Sequence, residues 1–405
     1  MHRPAVLILC SLALQAQEWP QWRGPSRTGV VQGFTAPQSW PKQLSTEWTA
    51  PIGSGLSSPV VSAQAIFVHS RQGEQEVVQA FARATGKELW KSSYRAPFRP
   101  NQYATQMGLG PNSSPVYFQD LVITLGITGI LTCHDAKTGA VKWRKDYSNR
   151  VDSQNNFTGT AMSPMIEAGL LLVHIGDDRG GSLMAIQPAS GVIQWHWDGD
   201  GPSYASPVVT DIAGQRQIVT LALKHATGLD PRTGTLLWKY PFVDQYNENI
   251  VTPVIAGNRV IYSGVRKGTF ALDISKQGAQ WSAKLAWENP EYTMYMSSPI
   301  LDGDYLFGMT NKRKGSVFCM DVKTGKVLWS TPGREGTNMS MLSAANLLFL
   351  LNDTGDLKII RRSPAKYESV VEYKLTEEAT WAQPVLLGKN LLIRDAKTLR
   401  MYRLP

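Results

Sequence analysis

Few residues of this 405-residue chain have the type and spacing that chemistry requires. Its histidines stand at positions 2, 69, 134, 174, 196 and 225, with no H-E-x-x-H or other paired metal spacing among them. His69, His134 and His174 fall in strand-like runs, where a histidine is more often a satisfied structural residue than a ligand. DGDG, Asp198 to Gly201, is a fragment of a calcium loop without the remaining ligands and reads as a tight turn. IGDDRGGS from Ile175 reads as a hairpin. No G-x-S-x-G, P-loop or complete dinucleotide fingerprint occurs, so no residue is assigned as catalytic or metal-binding. Cys133 (ILTCHDA) and Cys319 (SVFCMDV) sit at equivalent places of two sequence repeats. They are expected to be buried free thiols rather than partners.

Such sparse chemistry directs attention to the framework. With 42% hydrophobic residues the chain can bury a large core, as two ordinary domains or one large all-β domain. Its 35 Gly, 24 Pro and 13 Trp point to many turns with aromatic packing, and no long apolar pattern at helical spacing is present. The formal charge of +9 is dispersed, without a Lys/Arg-rich run, which argues against nucleic acid as a partner. Residues 1–16 combine His2 and Arg3, a short apolar core and the small residue Ala16, the pattern of a cleaved secretory signal. The segment is too short to span a membrane as a helix. Leu9 before Cys10 is a poor lipobox, so the expected location is the periplasm or the exterior, with membrane contact only if Cys10 is lipidated.

Internal repetition decides the fold. DAKTGAVKW (Asp135 to Trp143), DPRTGTLLW (Asp230 to Trp238) and DVKTGKVLW (Asp321 to Trp329) share Asp, Thr, Gly and Trp at fixed places. Weaker copies end at Trp90, Trp195 and Trp281. Asp at a strand end can accept bonds from the next backbone N–H groups, Gly139, Gly234 and Gly325 supply the positive φ, and a strand ending in Trp follows. A second marker, SSPVV at Ser57, SSPVY at Ser113, MSPMI, ASPVV, VTPVI, SSPIL and AQPVL, opens a short apolar strand before each copy. Four strands per unit make a propeller blade. The outer-strand aromatics Trp48, Trp90, Trp143, Trp195, Trp238, Trp281, Trp329 and Tyr373 count eight units. The last unit stops after three strands, while QLSTEWTAPI around Trp48 has the form of an outer strand without a blade. The expectation is all-β: an eight-bladed β-propeller of four-stranded antiparallel blades, closed by the N-terminal strand. Residues 17–40 form an N-terminal extension and residues 41–405 the propeller, a monomer in which the tryptophans pack blade on blade.

The repeat in Asp135–Trp143, Asp230–Trp238 and Asp321–Trp329 resembles the tryptophan-docking repeat of pyrrolo-quinoline quinone (PQQ) propellers, over about residues 40–405. One branch of that superfamily consists of PQQ-dependent alcohol and sugar dehydrogenases, the other of BamB-type assembly factors, which are scaffolds without chemistry. The enzymes carry adjacent cysteines against the quinone and a Glu/Asn/Asp set around calcium. Here Cys133 and Cys319 stand apart, no matching ligand set can be placed, and no C-x-x-C-H is present. The resemblance therefore implies a binding scaffold with no cofactor, for a protein partner in the cell envelope or a small ligand in the axial channel. PQQ with calcium is the alternative.

Sites in a propeller gather where inter-blade loops surround the channel. Two such connections are long, Ser92 to Ser113 and Asp146 to Ala161, and a third, LAWENPEYTMYMS, is aromatic. They nominate Arg99, Asn101, Tyr103, Gln106, Asn155, Asn156, Tyr292, Tyr295 and Trp381 as a recognition face, against the plainer reading that they are ordinary crossings. EWPQWRGPSRTGV (Glu18 to Val30) resembles the start of many secreted PQQ-like repeat proteins. It is expected either to cap the rim or floor, with Trp19 and Trp22 packed and Arg23 bonded to loop carbonyls, or to plug the channel mouth.

Overall fold

In the Asp-Thr-Gly turns the side chain does the folding. Asp135 Oδ1 accepts from the backbone N–H of Lys137 (3.1 Å) and Thr138 (3.0 Å), and Gly139 N–H closes the turn onto Asp135 O at 2.9 Å. Asp321 repeats the pattern, with Gly325 at φ +72°. Each turn joins the third and fourth strands of a blade. A computed structural model of the chain describes residues 17–152, 157–244 and 248–405, and the signal-like residues 1–16 with Cys10 lie outside them.

The strands form eight sheets. Blades 1 to 6 take residues 60–95, 116–146, 165–197, 208–241, 254–289 and 300–330, each as four antiparallel strands in sequence order. Blade 7 occupies residues 339–374, and Val30–Val31 adds to its inner strand in parallel, Val30 facing Ser343. Blade 8 has three strands from residues 385–403 and takes Ser45–Pro51 as its fourth, Ser45 opposite Arg403. That strand closes the ring and covers an edge that would otherwise be open. The cores lie between adjacent blades and are filled from the middle strands, as in the cluster of Ile123, Leu131, Cys133, Val173 and Met184 between blades 2 and 3. Cys133 and Cys319 are free and buried, and burial pushes both thiols up to about 12. No described helix is long and apolar enough to cross a membrane.

Tryptophans set the spacing of the blades. Trp90 of blade 1 donates from Nε1 to Ala136 O of blade 2 (2.9 Å), and its ring lies on Gly139, where a Cβ would come within 2.5 Å of it. Trp143 repeats this on Pro188 O and Gly191, Trp195 on Pro231 O and Gly234, and Trp48 on Arg83 O and Gly86, which ties blade 8 to blade 1. Trp329 donates to Ser363 O of blade 7 at 3.0 Å.

Blade 5 differs from the sequence expectation. Its docking residue is Trp287, not Trp281: Trp287 Nε1 donates to Val322 O at 2.8 Å and its ring covers Gly325. The cause is register. The last two strands, Gly268–Gln277 and Gln280–Asn289, form one long hairpin, so Trp281 pairs with Lys276 near its tip, while Trp287 sits opposite Ala271 beside the bulge. This hairpin replaces the Asp-Thr-Gly turn that Trp238 of blade 4 would meet, and Trp238 Nε1 bonds Gln217 Oε1 of its own blade instead, at 2.7 Å. In blade 7 the docking place beside the bulge belongs to Val371, opposite Ile359. Tyr373, two residues on, supplies the contact by donating to Pro41 O at 2.9 Å.

Truncating a docked ring leaves a cavity between blades, at a cost of about 3 kcal/mol, whereas a half-exposed ring near a hairpin tip costs about 1 kcal/mol. Denaturant unfolding of Trp287→Ala and Trp281→Ala is expected to give that order. Equal or reversed losses would contradict the register.

Candidate functional site

The sequence EWPQWRGPSRTGV lies in the axial channel. Trp19 pairs through its backbone with Val61 of the blade 1 inner strand (2.7 and 2.8 Å), and Pro20 O accepts from Tyr117 N–H of blade 2 at 2.7 Å. Arg27 donates to Ser163 O and Pro164 O of blade 3 at 3.1 and 3.0 Å. Arg23 donates to Pro299 O of blade 6, and Gly29 O accepts from Ser343 N–H of blade 7. Trp19, Arg23 and Arg27 are buried, and burial drops both guanidinium pKa values to about 9. The segment is a plug joined to blades on both sides of the ring, and it forms the floor of what lies above.

Above it, on the face where chains cross from blade to blade, is a cavity of about 660 Å³. Its wall is built from the proline markers. Ser58 N–H donates to Ser114 Oγ (2.9 Å), Ser114 N–H to Ser163 Oγ (3.0 Å), and Ser163 N–H to Ser206 Oγ (2.9 Å). Ser206 N–H reaches Thr252 Oγ1 at 3.3 Å, and Gln383 N–H returns to Ser58 Oγ at 2.8 Å. A hydroxyl of each blade thus satisfies the N–H of the blade before it, from blade 8 round to blade 5. The proline next in each marker has no N–H to satisfy. In blades 6 and 7 the pattern changes direction, and Met339 N–H donates to Ser297 Oγ at 2.9 Å.

Six aromatic rings of the described residues line the space, those of Trp22, Tyr103, Phe157, Tyr204, Tyr295 and Trp381, with Met107, Met296 and Met339 among them. Among the described residues Glu248 is the one acid in the lining, and no Lys or Arg lines it. Burial raises its carboxyl pKa above the ordinary value, Asp244 adds to the effect, and a hydrogen bond from Tyr295 opposes it. Burial likewise raises the Tyr295 phenol and pushes Tyr204 up to about 12. Among the described residues no group of three or more His, Cys, Asp or Glu gathers as metal ligands.

Tyr103, Gln106, Tyr295 and Trp381 line this cavity. Arg99 is exposed on the same loop and does not line it. Asn101 is buried behind it, its Oδ1 accepting from Tyr103 N–H at 3.0 Å. Tyr292 is a packing residue, against Phe318 at 5.0 Å and under the Arg313 guanidinium. Asn155 and Asn156 fall outside the described residues. Sequence reasoning gave Trp22 to a cap or channel plug but not to the recognition face, and it missed Tyr204 and Glu248. Those two sit close to the SP and TP markers, a signal that could have placed them near the axis.

A closed ring of eight four-stranded blades, with tryptophan set on glycine between blades, defines the PQQ-like propellers. Residues 73–331 match the family model described as outer membrane protein assembly factor BamB, and the chain belongs to that family. The assembly factor BamB of Yersinia pestis is 21% identical over 368 residues, 86% of this chain and 85% of that protein. BamB of Shewanella oneidensis is 26% identical over 239 residues, 54% of this chain and 56% of that protein. Among solved structures, BamB from Moraxella catarrhalis superposes with a TM-score of 0.60 at 14% identity, over 88% of this chain and 97% of that one. A europium-containing methanol dehydrogenase gives 0.72 at 12% identity, over 95% and 98%, so the fold is shared across both branches.

The raised Glu248 pKa carries a sign. Deprotonation costs more in the folded than in the unfolded chain, so stability falls as pH rises through the unfolded value of an ordinary carboxyl toward the folded one. Glu248→Gln is therefore expected to melt at a higher temperature than the parent at pH 7 and at the same temperature near pH 3. A loss at pH 7 would show that the carboxylate is stabilised where it stands.

Proposed function

We propose that the protein is a non-catalytic scaffold of the periplasm that holds a protein partner on its loop face, as an outer-membrane protein assembly factor. The observation carrying this reading is the cavity itself. It is concave and aromatic, with hydroxyl and amide groups between the rings, which suits recognition, and among the described residues it holds one acid and brings together no nucleophile–base pair. Membership of the family, and a relative named for outer-membrane protein assembly that aligns along most of both chains, support the same role. Cleavage near Ala16 fits delivery to that compartment, and Leu9 before Cys10 favours a chain without a lipid anchor.

The residues present do not fit a quinone held on calcium. Among the described lining residues Glu248 is the one carboxylate, and no Asp stands with it to complete the Glu/Asn/Asp set of the enzymes. Cys133 and Cys319 are buried in different inter-blade cores. We therefore assign no cofactor.

Deleting the gene in the native host is expected to lower the level of folded outer-membrane proteins, read as heat-modifiable bands. The intact chain should restore the level and a Tyr103→Ala/Trp381→Ala double variant should not. Unchanged levels after deletion would remove the assembly role. In a separate assay, purified protein with added PQQ and Ca²⁺ is expected to show no bound quinone absorbance and no dye-linked oxidation of alcohols or sugars. Turnover there would move the protein to the dehydrogenase branch.

A further inference from the structure

The loop-face cavity has an electrostatic asymmetry that the scaffold role leaves unexplained. Glu248 stands on its wall with no Lys or Arg within ion-pair distance among the described residues, on a chain whose formal charge is +9. Tyr295 donates a hydrogen bond to its carboxyl, and Tyr204 is close enough to feel the same charge. Asp244, which accepts from Arg266 N–H at 3.2 Å, adds negative potential nearby. An acid drawn into an aromatic wall without a counter-charge is costly unless a cation arrives to meet it.

The floor has the opposite character. Arg23 and Arg27 flank the Trp22 ring at 5.6 and 5.5 Å, but their guanidiniums are turned to the carbonyls of Pro299, Ser163 and Pro164 and do not line the cavity. They repel a cation from the floor. The Glu248 wall is left as the place where a cation would be stabilised, by the carboxylate and by the two phenol rings that line the cavity with it.

Resting on the reading of this face as a protein-binding surface, we propose that Glu248, Tyr204 and Tyr295 receive the basic side chain, preferentially arginine, of a partner polypeptide. A cavity of about 660 Å³ is within the range that holds a drug-sized ligand and far exceeds what one cationic head needs, so the residues flanking the arginine fill the rest. Arginine is preferred over lysine because its planar, weakly hydrated head stacks on aromatic faces and pairs with a carboxylate through two donors.

The test is calorimetric titration of the full chain with an acetylated, amidated pentapeptide, Gly-Leu-Arg-Leu-Gly, and with its citrulline and glutamate counterparts. The arginine peptide is expected to bind about tenfold or more tightly than the citrulline peptide. In Glu248→Gln, checked for folding by its melting curve, that ratio should fall to about one. Free arginine amide should bind about tenfold more weakly than the pentapeptide. Preference for the glutamate peptide would mean that the floor arginines dominate. That result, equal affinities, no binding by any peptide, or a ratio unchanged in Glu248→Gln would overturn the proposal. Binding of free arginine amide as tight as the pentapeptide would overturn the polypeptide occupant. A chain that sustains outer-membrane protein levels yet lacks arginine preference keeps the scaffold role and loses this site.

Discussion

A tryptophan ring lying on a bare glycine Cα is the contact from which the rest of this molecule is dimensioned. The turn glycine must be left-handed and must lack a side chain, since a Cβ at Gly139 would come within 2.5 Å of the Trp90 ring. That fixes how closely one blade approaches the next. Repeated around the circle, the same spacing determines how many blades close the ring and how wide the axial channel is. The channel width in turn decides that an extended peptide segment can lie across it, with its prolines and arginines, and so gives the cavity a floor.

Propeller geometry also leaves an unpaired edge on every inner strand, facing the axis. The chain satisfies the two kinds of edge group with different residues. N–H groups are met by the hydroxyls of Ser58, Ser114, Ser163, Ser206 and Thr252, one blade to the next. Carbonyls are met by buried arginines, whose forked head supplies several donors at once. Arg27 takes two carbonyls of blade 3, and Arg394 takes those of Ser57, His69, Gly53 and Ser54 across the seam between blades 8 and 1. These cations need no acidic partner because carbonyl dipoles converge on them. That explains how Arg23, Arg27 and Arg394 can be buried with lowered pKa values and remain structural.

Blade number, closure by the strand around Trp48 and the Asp-Thr-Gly turns were legible in the sequence because each follows from a repeated local pattern. Trp281 shows where that legibility ends. Its spacing from Gly278 mimics the other repeats, but hairpin length belongs to pairing between strands, and the ten-residue strands of blade 5 carry the docking place to Trp287. Tyr373 and Val371 repeat the lesson in blade 7. The site was half legible: aromatic residues in long loops could be seen, and Tyr103, Gln106, Tyr295 and Trp381 do meet around the axis. Trp22 was legible only as part of a segment that would cap the propeller or plug its channel, and Glu248, a single acid beside a marker, was not singled out at all. The serine markers were visible as strand openers, but their bonding role depends on the neighbouring blade.

The seam between Ser45–Pro51 and Thr398–Arg403 joins residues separated by nearly the whole described chain. Blades 1 to 6 can each form from local hairpins as the polypeptide emerges, but blade 8 must wait for its last strands. Until then the early segment has neither its pairing partner nor the channel in which Trp19 and Arg23 are buried. Closure over so long a loop is slow relative to hairpin formation. Without that seam the ring would be an open crescent with exposed sheet edges at both ends, and the strand that completes the fold is also the one that covers them.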